Sequence, residues 1–325
     1  MESYIKVGLE SILIGIITSL LTMVLFFIPA LNILVLLAPV PIIVTGVRRG
    51  IWAGMGSLVT ASIIISLLIH PFLGIIVFIL NLFIFLGLWV VYHKKLQMNE
   101  AVVLSAGGTL LSIFVSLQAF TWMMGESFFD FLWNNLKAFF NTNPTNINKM
   151  VEIYQKLGML DKAYSADRLA DILMGQMREL VPLLPSMLII TSLIIGGLNF
   201  LISRIVLKKL NISVPHVPSF KNWALPRGTG RGLMGLIALS IIGVWVKLPN
   251  FEIVLYTVSS IFTFIFTIQG MSVVAFFLKE KKVPGIISFI ILIAAFILLS
   301  VALTFMGIFE QIFGVRRAYN MKQGS

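Results

Sequence analysis

Long apolar runs broken by short charged or proline-marked intervals make up most of this chain. Runs near 7–28, 30–46, 51–69, 71–92 and 99–121 follow one another, and four more lie near 182–206, 231–247, 251–278 and 284–309. An α-helix needs roughly 20 residues to cross a hydrocarbon layer of about 30 Å. A bilayer interior also admits only elements that close their own backbone hydrogen bonds. The pattern therefore predicts an all-α, polytopic integral membrane bundle of about nine transmembrane helices. Five fall in residues 1–121, an external segment covers 122–181, and four fall in 182–325 with a basic loop at 204–231.

The polar interval breaks most clearly at Asn141-Thr142-Asn143-Pro144-Thr145-Asn146. Ahead of it, Phe128, Phe129, Leu132, Trp133, Leu136, Phe139 and Phe140 recur at helical spacing, with Asp130, Asn134 and Lys137 opposite. One-sided spacing of this kind predicts an amphipathic helix. Its aromatic face either lies on the outer membrane surface or caps the bundle, or else serves as a ligand lid. Leu169, Ile172, Leu173, Met177, Leu180 and Val181 repeat the spacing and lead into the sixth span.

Composition agrees with this reading: 58% of the 325 residues are hydrophobic and only 11% charged, against roughly 25% charged in soluble domains. The run from Val7 to Ile28 is too long for a cleavable signal core and is read as a retained span. The net charge of +11 acts as an orientation signal, because Lys and Arg are retained in short cytoplasmic loops. Lys6, Arg48 and Arg49, Lys94 and Lys95, the basic residues of 204–231, and Lys279, Lys281 and Lys282 all fall on one side. That side is assigned to the cytoplasm, giving a multi-pass protein of the cell membrane with a cytoplasmic N-terminus. Nine spans place Arg316, Arg317 and Lys322 outside, against the rule. No nucleic-acid module is visible.

Candidate chemistry is sparse. Cysteine is absent, and the histidines His70, His93 and His216 stand far apart, which argues against a metal centre. No catalytic set with recognisable spacing occurs, so neither an enzyme nor a cofactor is expected. Gly228-Thr229-Gly230-Arg231-Gly232 lacks the ending of a phosphate loop and reads as a span entry. His70, before Pro71, reads as a loop residue. Glu10 and Glu310 sit near span ends, as interfacial carboxylates or as coupling sites. Asn81, Gln118, Asn199 and Gln269 bring neutral amides to membrane depth, where they either join helices or touch a solute. Gln118, Thr121 and Trp122, beside the aromatic helix, are the candidate wall of an outward-facing solute pocket. The small residues Gly15 and Ser19, like Gly54, Ser57, Gly196 and Gly197, either pack the bundle or dock a membrane partner subunit.

Two stretches carry a family likeness. Pro39-Val40-Pro41-Ile42-Ile43-Val44-Thr45-Gly46-Val47-Arg48-Arg49-Gly50-Ile51-Trp52-Ala53-Gly54 resembles the second-to-third span junction of YybS-like proteins, a bacterial family of multi-span membrane proteins. Phe220-Lys221-Asn222-Trp223-Ala224-Leu225-Pro226-Arg227 resembles a second recurrent stretch of that family. The family looks distantly similar to the substrate-binding components of energy-coupling factor transporters, which capture vitamins or metal ions outside and dock on a shared membrane subunit. The resemblance implies a six-span solute-binding plan, with Gly15 and Ser19 on the docking helix. The short 29–32 loop and the three further spans depart from that plan. Two functions are therefore carried forward: transporter-like binding of a small solute, or a non-transporting scaffold in an envelope complex.

Overall fold

In the computed structural model, residues 2–142, 180–226 and 228–323 are described, with isolated residues between 149 and 175. No strand occurs among the described residues. The helices are α1 (Glu2–Phe27), α2 (Pro39–Arg49), α3 (Ile51–Leu68), α4 (Pro71–His93), α5 (Met98–Met124), α6 (Phe128–Thr142), α7 (Leu184–Lys209), α8 (Thr229–Trp245), α9 (Phe251–Glu280), α10 (Gly285–Leu298), α11 (Ser300–Phe313) and α12 (Val315–Gln323). A 3-10 segment, Pro29–Leu37, precedes α2, and the two together form one apolar stretch of 21 residues. Among the described residues, seven stretches are long and apolar enough to cross a membrane: α1, 29–49, α3, α4, α5, 181–209 and α9. The helix α8 is apolar but has only 17 residues. The protein is a helical membrane bundle.

The last predicted run departs from expectation. Its two helices, α10 and α11, meet at Leu299 with a bend of 105°, so residues 284–309 are not one straight span.

The chain divides into two units, one of residues 1–181 and 191–215, the other of 182–190 and 216–325. Most of α7 thus groups with the first five spans and not with the last three.

The core of the first unit mixes small and hydroxylated residues with large apolar ones such as Ile43, Leu58 and Phe85, and large apolar side chains also cover its outside. Ser57, Ser105, Thr109, Ser112 and Ser203 are buried, while Leu67, Leu68, Val103 and Phe114 are exposed. In lipid this order is stable, because an apolar surface is already solvated and small side chains allow helices to approach closely. Ser57 Oγ donates to the Ala53 carbonyl at 3.0 Å and Thr109 Oγ1 to Ser105 at 2.8 Å, each within its own helix, while Ser112 Oγ donates across to the Ile79 carbonyl of α4 at 3.3 Å. A Cβ on Gly15 would meet Thr60 and the Ser57 carbonyl, so Gly15 lets α1 approach α3 closely; Ser19 is buried, with its hydroxyl bonded to the Ile16 carbonyl of α1. Gly196 approaches the Ser105 backbone in the same way, joining α7 to α5.

Part of the deep polarity in this unit joins one element to another. Asn199 is 0% exposed, and its Nδ2 donates to the Leu36 carbonyl at 2.8 Å and to Ile195 at 3.0 Å. It thereby serves an acceptor in the 3-10 segment. The Tyr92 hydroxyl lies 2.7 Å from both the Phe200 carbonyl, to which it donates, and Ser203 Oγ. Asn81 donates to Val77 of its own helix at 2.7 Å. His70 caps α4, its Nδ1 accepting from the Phe72 N–H at 3.2 Å.

At the other side of this unit, α6 folds onto the bundle through an aromatic cluster. The Phe120 ring lies edge-on to Phe128 and Phe131, each at 5.3 Å, and to Phe72 at 5.7 Å. The side chains of Leu136, Phe139 and Phe140, and residues Leu169, Leu173 and Met177, lie outside the described residues.

In the second unit α11 crosses α9 at two glycines. Gly270 faces the Leu303 backbone and Gly307 faces Phe266, leaving no room for a Cβ at either position. Beside them Thr267 and Thr304 share a hydrogen bond of 2.8 Å. Gly314, at φ +61°, turns the chain from α11 into α12. Tyr319 of α12 then packs edge-on against Phe277 at 5.3 Å, near the C-terminal end of α9. Within this unit Arg316, in the first turn of α12, bonds to the carbonyls of Lys221 and Trp223.

Candidate binding cavity

The residues predicted from sequence are placed as follows. Gln118, Thr121 and Trp122 lie along one face of α5, where Gln118 is exposed and Trp122 is 79% exposed. The Thr121 hydroxyl donates to its own helix at Leu117, 3.1 Å away. Gln118 and Trp122 lie on an outer surface of the helix, and Thr121 is half-buried. Glu10 meets both cations of the α2 terminus, with Oε1 to Arg48 at 3.0 Å and Oε2 to Arg49 at 2.7 Å.

The first family-like stretch is a packing device. Phe85 of α4 is fully buried against Gly46 and Gly54, where a Cβ on either glycine would strike its ring. Gly50, at φ +100°, makes the turn between α2 and α3. The glycines of this stretch thus have a steric reason.

The second stretch is held by its backbone. Arg316 is 8% exposed, and its guanidinium donates from Nη1 to the Lys221 carbonyl at 2.7 Å and to Ser272 Oγ at 3.0 Å. Nη2 donates to the Trp223 carbonyl at 3.0 Å, and Nε to Glu310 Oε1 at 2.9 Å. Glu310 also accepts the Arg316 backbone N–H at 3.1 Å, which ties the carboxylate to the first turn of α12. A buried charge needs a partner and hydrogen bonds for its remaining donors, and Arg316 has both. Glu310, expected at an exposed membrane boundary, is instead the counter-ion of this arginine.

Beside this network lies a cavity of about 570 Å³. Its polar floor is Gln269 of α9 and Gln311 of α11. Gln269 Oε1 accepts from the Leu225 N–H at 3.2 Å, and its Nε2 donates to Gln311 Oε1 at 3.2 Å and to the Gly307 carbonyl at 3.3 Å. Gln311 Nε2 donates to the Pro226 carbonyl at 3.1 Å. Both amides are thereby engaged in holding residues 225 and 226 against the helices. Met234, Phe266, Ile312, Phe313 and Met321 give the cavity apolar wall, and Arg231 and Arg317 give it cations. Neither of these arginines has a carboxylate partner among the described residues. The volume lies within the range of small-molecule sites. No group of three or more His, Asp or Glu that could hold a metal ion occurs among the described residues.

Sequence reasoning singled out Gln269 but not Arg231, Arg316 or Arg317 as site residues. The available signal was Glu310 and Arg316 flanking Gly314 just after an apolar run, a spacing that lets a turn close an ion pair.

Neither the curated proteins nor the solved structures include a match to this chain. Its residues 16–310, however, match the model of a family described as "Predicted membrane protein (DUF2232)". Those residues take in the bundle of the first unit and all of the second up to Glu310, and the chain belongs to that family of predicted membrane proteins.

Proposed function

We propose that this protein is a non-enzymatic, transporter-like membrane protein that binds a small solute in the cavity of the second unit. The observation that carries the reading is a partly open cavity lined by an apolar wall and by two arginines that have no carboxylate partner among the described residues. The face of α5 at Gln118, Thr121 and Trp122 is a weaker candidate, because Gln118 and Trp122 are exposed and the Thr121 hydroxyl is bonded within its own helix.

The topology that goes with this reading has eight crossings: α1, 29–49, α3, α4, α5, α7, α8 and α9. The bent pair α10 and α11 enters from the basic side and returns to it. Support comes from Arg316, which bonds to Lys221 and Trp223 in the loop assigned to the cytoplasm. A returning hairpin brings Arg316, Arg317 and Lys322 to the cytoplasmic side and satisfies the positive-inside rule that nine spans violate. Both termini are then cytoplasmic, and the cavity opens toward the cytoplasm.

A thermal-shift screen tests the binding reading, using vitamins, divalent metal ions and anionic amphiphiles on protein purified in detergent. At least one class is expected to stabilise the wild type and to lose its effect in Met234→Trp, which fills the cavity. A flat screen refutes the proposal, as does a shift that survives Met234→Trp and disappears in Trp122→Ala.

A further inference from the structure

The chemistry of the cavity identifies the class of solute, given the binding reading above. Its one carboxylate, Glu310, is neutralised by Arg316 at 2.9 Å, so Arg231 and Arg317 leave the lining with a net positive charge. A cationic solute is disfavoured by that charge. A neutral polar solute would need free hydrogen-bonding groups deep in the cavity, and Gln269 and Gln311 are already engaged with residues 225 and 226 and with each other.

The polar and apolar parts of the lining adjoin. Arg231 lies in the first turn of α8 and Arg317 in the first turn of α12. A Cβ on Gly230, next to Arg231, would come within 3.3 Å of the Phe266 ring, and Phe313 ends α11 four residues before Arg317. The cavity thus sets two cations beside an aromatic wall. Guanidinium groups match phosphate oxygens in geometry and charge, and the apolar wall matches a hydrocarbon chain. In the same unit α10 is apolar and exposed along its length, a surface suited to the hydrocarbon phase from which such a ligand would arrive.

We propose that the cavity binds a phosphate-bearing amphiphile, with Arg231 and Arg317 holding the phosphate and the chain lying along Met234, Phe266 and Phe313. Free phosphate shares the headgroup chemistry but leaves that wall unfilled.

Native mass spectrometry of the full chain in detergent tests this with 1-oleoyl lysophosphatidic acid, 1-oleoyl lysophosphatidylcholine and inorganic phosphate as probes. Lysophosphatidic acid is expected to bind at least tenfold more tightly than the other two. Arg231→Gln/Arg317→Gln is expected to weaken it at least tenfold, and Lys281→Gln/Lys282→Gln, in the exposed loop before α10, to leave it unchanged. Equal binding of inorganic phosphate overturns the amphiphile assignment. Equal loss in the two double variants reduces the effect to general attraction at a basic surface and also overturns it. Both arginine side chains are exposed, and thermal unfolding checks that the variants remain folded. A Met234→Trp-sensitive shift with a different solute, together with no lysophosphatidic acid binding, leaves the binding reading standing and removes only this assignment.

Discussion

Replacing Arg316 with Met tests whether the buried network holds the second unit together. The substitution removes four donor contacts: to Glu310 at 2.9 Å, Lys221 at 2.7 Å, Ser272 at 3.0 Å and Trp223 at 3.0 Å. Glu310, whose side chain is 10% exposed, keeps only a backbone N–H. Removing one partner of a buried pair costs about 3–5 kcal/mol, since the remaining charge is stranded. The Arg316→Met protein should therefore unfold on the order of 10 °C lower, followed by tryptophan fluorescence in detergent. Arg316→Lys keeps the charge but not the planar fork and should fall between the two. In Arg316→Met/Glu310→Gln the stranded charge is gone, and the loss should be smaller than the sum of the single effects by about 1–2 kcal/mol. Stability of Arg316→Met within about 1 kcal/mol of wild type, or strict additivity in the cycle, refutes the reasoning.

Three further outcomes follow from the first unit, each read by thermal unfolding of the purified protein. Gly46→Leu collides with Phe85 and should cost about 1–3 kcal/mol; Phe85→Ala should cost about 3–5 kcal/mol, and the double variant less than the sum. Asn199→Leu strips the Leu36 carbonyl of its donor and should cost about 1–3 kcal/mol, as expected for an orphaned buried polar group. Glu10→Gln breaks two ion pairs whose side chains are 24–45% exposed, and it should change stability by less than about 1 kcal/mol.

Much of the bundle was legible because its apolar runs carry clear stops. Gly50, the His70-Pro71 pair and Lys94-Lys95 each end or begin a helix where the sequence predicts. The aromatic helix after Trp122 was legible from its spacing, and its landing place on Phe120 was not. The bend at Leu299 was hidden. No proline or glycine marks it, and the one polar residue beside it, Ser300, follows a long apolar stretch. What accompanies the bend is tertiary: close backbone approach at Gly270 and Gly307, and the anchoring of Arg316 beyond. The cavity was hidden for the same reason, since Arg231 and Arg317 lie on helices far apart in sequence. Gln118, Thr121 and Trp122 were selected by position alone, and the exposure of Gln118 and Trp122 depends on packing that the sequence does not state.

The central claim, that the bent pair returns the chain to the basic side and opens the cavity there, can be tested by labelling one residue. The chain has no cysteine, so Met321→Cys, at an exposed residue of the cavity lining, introduces a unique thiol. A membrane-impermeant maleimide applied to sealed vesicles of either orientation should modify it in inverted vesicles and leave it untouched in right-side-out ones. Modification in right-side-out vesicles alone would restore nine crossings and contradict the account.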